Sequence, residues 1–284
     1  MFKKLLFCSL MIQNLSAAEV DKVIYGTDNR LDIYQSTNSK YKVWAKSTAA
    51  MILDSSLSIN GDTVTIEGST LIEEGVCGDE KFSKQKTSAM CTGFLVGEDL
   101  LLTAGHCIKS MVDCDSYSWV FGFSNPEHEQ TQYSVDKNEV FKCVKIINRA
   151  LDNGSYNDFA LVQLDRKTAK KALSIRHSGK IANKTKLVVI GHPSGLPTKI
   201  ADGAYVRSSK SKEYFEANLD TFGGNSGSPV FNVNTSVVEG ILVRGEEDYI
   251  FDQTANCYRP KVCKMTDCRG EDVTRITNIL ELQK

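Results

Sequence analysis

Cys91-Thr92-Gly93-Phe94-Leu95-Val96-Gly97-Glu98-Asp99-Leu100-Leu101-Leu102-Thr103-Ala104-Gly105-His106-Cys107 reads as a β-hairpin. Two apolar runs flank Gly97-Glu98-Asp99, and Gly and Asp are residues that turns favour. Cys91 and Cys107 stand equally far from Asp99, on opposite sides. Closing the hairpin brings them face to face, which predicts a disulfide that fixes His106 in place. Outward from this hairpin the pattern repeats. Short β-type runs bounded by turn residues recur at 63–66, 159–164, 187–190 and 237–243. Long helical periodicity is scarce, and 277–282 is the best helix candidate. The pattern predicts an all-β barrel or sandwich with one short C-terminal helix. The polar, basic stretch 166–186 either links two lobes or is a solvated excursion.

The chain has 284 residues, enough for one large β domain or two smaller lobes with a sizeable core. Its net charge of −1 gives no basic excess, which argues against a nucleic-acid binder. Lys3 and Lys4 precede a short apolar run, and Ser16-Ala17-Ala18 supplies small residues at a cleavage site. Residues 1–18 therefore read as a secretion signal. A membrane anchor is the competing reading, but a span needs about 20 apolar residues. Removing the signal takes away two lysines and no acid, moving the net charge from −1 to −3.

Of nine cysteines, Cys8 leaves with the signal and eight remain. An even number in an exported chain predicts disulfides. Zinc at Cys257, Cys263 and Cys268 is the alternative, weakened by the absence of a Cys-x-x-Cys pair and of any following histidine.

Three segments carry chemistry. They are Thr103-Ala104-Gly105-His106-Cys107, Asn157-Asp158-Phe159-Ala160-Leu161-Val162-Gln163-Leu164 and Phe222-Gly223-Gly224-Asn225-Ser226-Gly227-Ser228-Pro229-Val230. Each alone has a bland explanation: a structural histidine, a turn-forming aspartate, a glycine-rich loop. Together they offer a base, an acid to hold its tautomer, and a hydroxyl flanked by glycines that can present bare N–H groups. His128, His177 and His192 read as surface or loop residues, and Trp44 and Trp119 as core.

These segments resemble the histidine, aspartate and serine motifs of trypsin- and chymotrypsin-like peptidases, in that chain order. Gly224-Asn225-Ser226-Gly227-Ser228-Pro229 and Val23-Ile24-Tyr25-Gly26-Thr27-Asp28-Asn29-Arg30 are most similar to the bacterial branch that includes glutamyl endopeptidases. The resemblance implies two packed six-stranded antiparallel β-barrels, with lobes over approximately 23–165 and 180–284 in a domain spanning 19–284. It implies Ser226 as nucleophile, His106 as general base and Asp158 as orienting acid. The N–H groups of Gly224 and Ser226 would form the oxyanion hole. Secreted serine endopeptidase activity on protein or peptide substrates follows, with no cofactor, metal, nucleic acid or membrane partner, from a monomer.

Two departures bear on this reading. Animal trypsins carry Asp where this chain has Asn225, whose amide has no charge to pair with a freed N-terminus. On specificity, family spacing puts Asp220 at the base of the primary pocket and Val243-Arg244-Gly245 on the strand that pairs with substrate backbone. Asp220, with Glu271 and Asp272, would favour a basic side chain, Arg244 an acidic one. The basic reading is preferred, unless Asp220 instead bonds backbone N–H groups. The functional rivals are a protease-like binding or adhesion protein without catalysis, and a zymogen with Glu19–Lys22 as a short propeptide.

Overall fold

The computed structural model describes residues 23–283, so the expected signal segment and Lys22 lie outside the described residues. Twelve strands, β1–β12, form two barrels. The first barrel comprises β1 (Thr48–Leu53), β2 (Ala89–Leu95), β3 (Leu100–Thr103), β4 (Tyr117–Phe121), β5 (Val140–Leu151) and β6 (Asp158–Leu164). It closes in the order β1–β2–β3–β6–β5–β4, with β4 returning onto β1. The second comprises β7 (Lys186–Gly191), β8 (Lys199–Ser208), β9 (Tyr214–Ala217), β10 (Pro229–Asn232), β11 (Val238–Arg244) and β12 (Glu271–Arg275). It runs β7–β10–β11–β12–β9–β8 and closes between β8 and β7. All pairings within both barrels are antiparallel. The chain thus forms the double six-stranded barrel expected from the sequence.

Apolar side chains on the inner faces explain the closure. Met51, Leu95, Leu101, Trp119 and Phe121 fill the first barrel. Leu187, Val206, Phe215, Leu242 and Val273 fill the second. Each such buried side chain contributes roughly 1.5–3 kcal/mol. Trp44 stacks on Phe231 of β10 at 4.4 Å, so one of the two tryptophans packs on the second barrel and the other lies inside the first.

The polar stretch between β6 and β7 is bonded to both barrels. Thr168 and Leu173 donate backbone N–H groups to Glu98 and Leu95, while Ser174 and Arg176 pair with Val238 of β11. The N-terminal segment departs from the expected lobe boundaries. Ile24–Tyr25 pairs in parallel with Val262–Cys263, and Arg30–Asp32 adds to β8 of the second barrel. A buried cluster draws it there: Asp32 accepts from Lys199 Nζ at 2.7 Å, Gln85 Nε2 at 2.9 Å and Asn125 Nδ2 at 3.0 Å. The C-terminal helix takes the form of two successive 3-10 turns, Ile276–Asn278 and Leu280–Leu282.

Eight cysteines pair as Cys77–Cys257, Cys91–Cys107, Cys114–Cys143 and Cys263–Cys268. The hairpin bridge is therefore as expected from the spacing about Asp99. The sulfurs of Cys257, Cys263 and Cys268 are consumed in disulfides, which removes the thiolates that a zinc site there would need.

Candidate active site

The hairpin delivers His106 just beyond β3, and β5 delivers the chain through a turn to Asp158 at the start of β6. Asp158 is 1% exposed, and its carboxylate is organised on both sides. Oδ1 accepts the backbone N–H groups of Gly105 (2.6 Å) and His106 (3.1 Å). Oδ2 lies 2.8 Å from His106 Nδ1. Burial works to raise this carboxyl, but the His106 hydrogen bond, the His106 charge and the Arg244 guanidinium prevail and hold it below the usual range. An ionised Asp158 fixes the imidazole with Nδ1 protonated, which leaves Nε2 as the basic nitrogen.

Ser226 comes from the other barrel, on the loop before β10, and is buried. Two contacts fasten that loop across the seam, and a third holds it to its own barrel. Thr92 N of β2 donates to the Ser226 carbonyl at 2.8 Å, and the Cys107 sulfur lies 3.8 Å from the same oxygen. Gly227 N donates to Leu242 O of β11 at 2.7 Å. The residue next to His106 and the carbonyl of Ser226 are thus in contact, which brings the sequence-expected segments together between the barrels. Gly227 sits at φ +91°, and a Cβ there would meet the Thr92 carbonyl at 1.9 Å, so no other residue fits this turn.

Gly224 has φ +82° and packs against the His192 carbonyl, again leaving no room for a side chain. The Gly223 carbonyl accepts from Ser194 N. In a trans peptide the N–H points opposite the carbonyl, so the Gly224 N–H is directed away from Ser194. Gly223 N in turn donates to Asp248 Oδ2 at 2.7 Å, and the adjacent Tyr249 hydroxyl meets Ser194 Oγ at 2.6 Å. The hairpin that follows Asp248 is tied to the loop beside the first barrel by Cys77–Cys257. Asn225 does not depend on an amine for a partner, since its Oδ1 accepts from Ser228 Oγ at 3.0 Å.

Sequence reasoning missed two of these supports. Thr92 is fully buried and bonds three ways: its N–H to Ser226, its hydroxyl to Gly224 O at 2.9 Å, and that same hydroxyl from His192 N at 3.1 Å. A polar residue inside an apolar strand, next to Cys91, was the available signal. Asp248 carried none, because its partner lies 25 residues away.

Asp220 and Arg244, the residues expected to bear on charge specificity, have partners within the protein. Asp220 is 4% exposed and accepts Tyr25 N at 2.7 Å and Asn29 N at 2.8 Å, so it anchors the N-terminal segment instead of standing bare at a pocket base. Burial pushes its carboxyl up to about 6. Arg244 turns inward, to 3.5 Å from Asp158 Oδ2 and 3.3 Å from Asp272 Oδ2. Val243 is buried, and the Gly245 carbonyl accepts from Arg269 Nη1 at 3.3 Å. Glu271 and Asp272 are likewise buried. His128 and His177 are exposed, but His192 is fully buried, stacked on Phe123 with Nδ1 3.0 Å from Leu196 O. Burial pulls its pKa down to about 3, so it stays neutral.

Residues 91–241, more than half of the chain, match the family model described as the trypsin-like peptidase domain. The chain belongs to the trypsin-like peptidase family. The match contains His106, Asp158 and Ser226. Among solved structures, this trypsin-like peptidase is similar to a Glu endopeptidase in complex with MPD, at 17% identity and a TM-score of 0.51, covering 92% of this chain and 97% of that one. It is also similar to the Vibrio cholerae VesB protease, at 16% identity and a TM-score of 0.50, covering 88% of this chain and 66% of that one. At such identities the likeness is one of fold. No curated protein matches the sequence. The fold of the trypsin-like peptidase is the chymotrypsin-like double barrel, and its substrates are proteins or peptides.

Proposed function

We propose that this peptidase is an exported serine endopeptidase acting through an acyl-enzyme on Ser226. The observation that carries the reading is the two-sided hold on Asp158, with backbone N–H groups on one oxygen and the imidazole on the other. His106 Nε2 takes the Ser226 hydroxyl proton as Oγ bonds to the substrate carbonyl carbon. The oxygen gains charge and receives the N–H groups of Gly224 and Ser226. His106 then gives the proton to the leaving amine as the C–N bond breaks, and water repeats the sequence to release the acid. Each hole donor is worth about 3 kcal/mol in the transition state. Four disulfides support export, and among the described residues no helix is long and apolar enough to cross a membrane.

A cleft of about 690 Å³ opens beside Gly223 and Gly224, lined by Leu71, Val76, Met90 and Tyr249 among others. It suits a substrate side chain of apolar character. Asp220 and Arg244, the residues expected to bear on charge specificity, both have partners within the protein. Cleavage of a peptide library by the purified protein, blocked by a fluorophosphonate, is the expected result. A well-folded protein that cleaves no library member would favour the binding or adhesion reading.

Chains beginning at Glu19 and at Val23 are expected to label equally with an active-site phosphonate. Burying an ammonium beside the neutral Asn225 would be costly, and Asn225 already has Ser228. The segment from Val23 instead packs along the loop before Ser226. Thr221 N donates to Val23 O at 3.1 Å, and the Arg30 guanidinium lies 4.2 Å from the Phe222 ring centroid. Processing should therefore alter peptide affinity more than hole formation. Labelling of the Val23 form alone would restore zymogen control.

A further inference from the structure

We propose that Arg244 is a positioning residue of this reaction centre, bracing Asp158 against Asp272 and the Tyr156 carbonyl so that the acid stays ionised and aimed at His106. The inference rests on the serine-peptidase reading. Arg244 ends β11, in the barrel opposite Asp158, and its guanidinium is divided among three acceptors. Nη1 lies 3.5 Å from Asp158 Oδ2, Nε is 3.3 Å from Asp272 Oδ2, and Nη2 donates to Tyr156 O at 2.8 Å. The same guanidinium lies 5.4 Å from the Tyr156 ring centroid. One planar fork therefore joins β11, β12 and the turn that leads into β6. A lysine ammonium, on a flexible stem and without the fork, does not reproduce that geometry.

The oxygen that Arg244 approaches is the one that receives His106 Nδ1. Its charge thus acts on the pair that must share a proton during catalysis. The other charged and titratable groups around this pair are accounted for. Asp272 is held from its far side by Arg269 Nη2 at 2.7 Å. Arg149 on β5 donates through Nε to Gly105 O at 2.8 Å. Tyr156 and Tyr214 meet edge to face beside the brace. A cation behind the carboxylate stabilises Asp158 as an anion and disfavours protonation of His106. His106 must be neutral to take the serine proton, so the cation extends activity toward lower pH.

The test is Arg244→Gln and Arg244→Lys, with wild type, scored by peptide kinetics and by the rate of phosphonate labelling against pH. Labelling rates report only competent sites, so partial misfolding does not obscure them. Arg244→Gln is expected to move the acid limb of kcat/KM and of labelling upward by about half to one pH unit, with kcat down roughly tenfold. Arg244→Lys should keep the limb near wild type while kcat falls a few-fold. If Arg244 instead grips an acidic substrate side chain, Arg244→Gln would raise KM for acidic peptides while kcat and the limb stay at wild type. That result overturns the proposal. Failure of the wild-type protein to label at any pH would remove the serine-peptidase reading itself, and the proposal with it.

Discussion

Ser226→Ala is expected to lower peptide turnover about a million-fold, leaving only the rate that the oxyanion hole and substrate binding supply. The substitution removes one hydroxyl from a residue whose backbone does the structural work. The Ser226 carbonyl still accepts from Thr92 N, and Gly227 N still donates to Leu242 O. Thermal unfolding should therefore stay close to wild type while kcat collapses. Initial rates on the best library peptide, with the melting curve as control, check both halves. Turnover near wild type would mean that another residue is the nucleophile.

Asp158→Asn is expected to lower kcat about 10,000-fold at neutral pH. The reason lies in which side of the carboxylate faces which donor. Oδ1 receives two backbone N–H groups, from Gly105 and His106. An asparagine must turn its oxygen to those donors, which points its NH2 at His106 Nδ1 and at Arg244 Nη1. Nδ1 then has to accept, the proton moves to Nε2, and the imidazole loses the lone pair that would take the serine proton. Steady-state kinetics against pH on the folded variant measures this. A loss of less than about tenfold would show that the tautomer is not set by Asp158.

Local chemistry made much of this molecule legible. The hairpin around Gly97-Glu98-Asp99 gave Cys91–Cys107 because both cysteines lie on one short, closed unit. The three motif segments could be recognised because each is contiguous. What could not be read was whatever depends on distant partners. Cys77–Cys257 joins residues 180 positions apart, and eight cysteines allow many connectivities. Between a pocket base and a bond to backbone N–H groups the sequence left Asp220 open, because the positions of Tyr25 N and Asn29 N are set only by the fold. Arg244 looked free until the fold set it between Asp158 and Asp272, acids contributed by two different barrels. His192 sat in a turn-rich stretch, and nothing in that stretch announced the Phe123 ring that buries it.

The N-terminal segment illustrates the same point at larger scale. By sequence it precedes the first barrel, yet Arg30–Asp32 completes an edge of the second. Its reason for being there is the buried Lys199–Asp32 pair, formed across 167 residues. The consequence is functional, because the same segment supports Asp220, Thr221 and Phe222, the residues leading to Ser226.

The most direct measurement is to treat the purified protein with a fluorophosphonate and map the adduct by peptide mass spectrometry. The account predicts one adduct per chain, on Ser226 Oγ, absent in Ser226→Ala and formed far more slowly in His106→Ala. An adduct on a different residue, or none on a preparation that cleaves peptides, would contradict it.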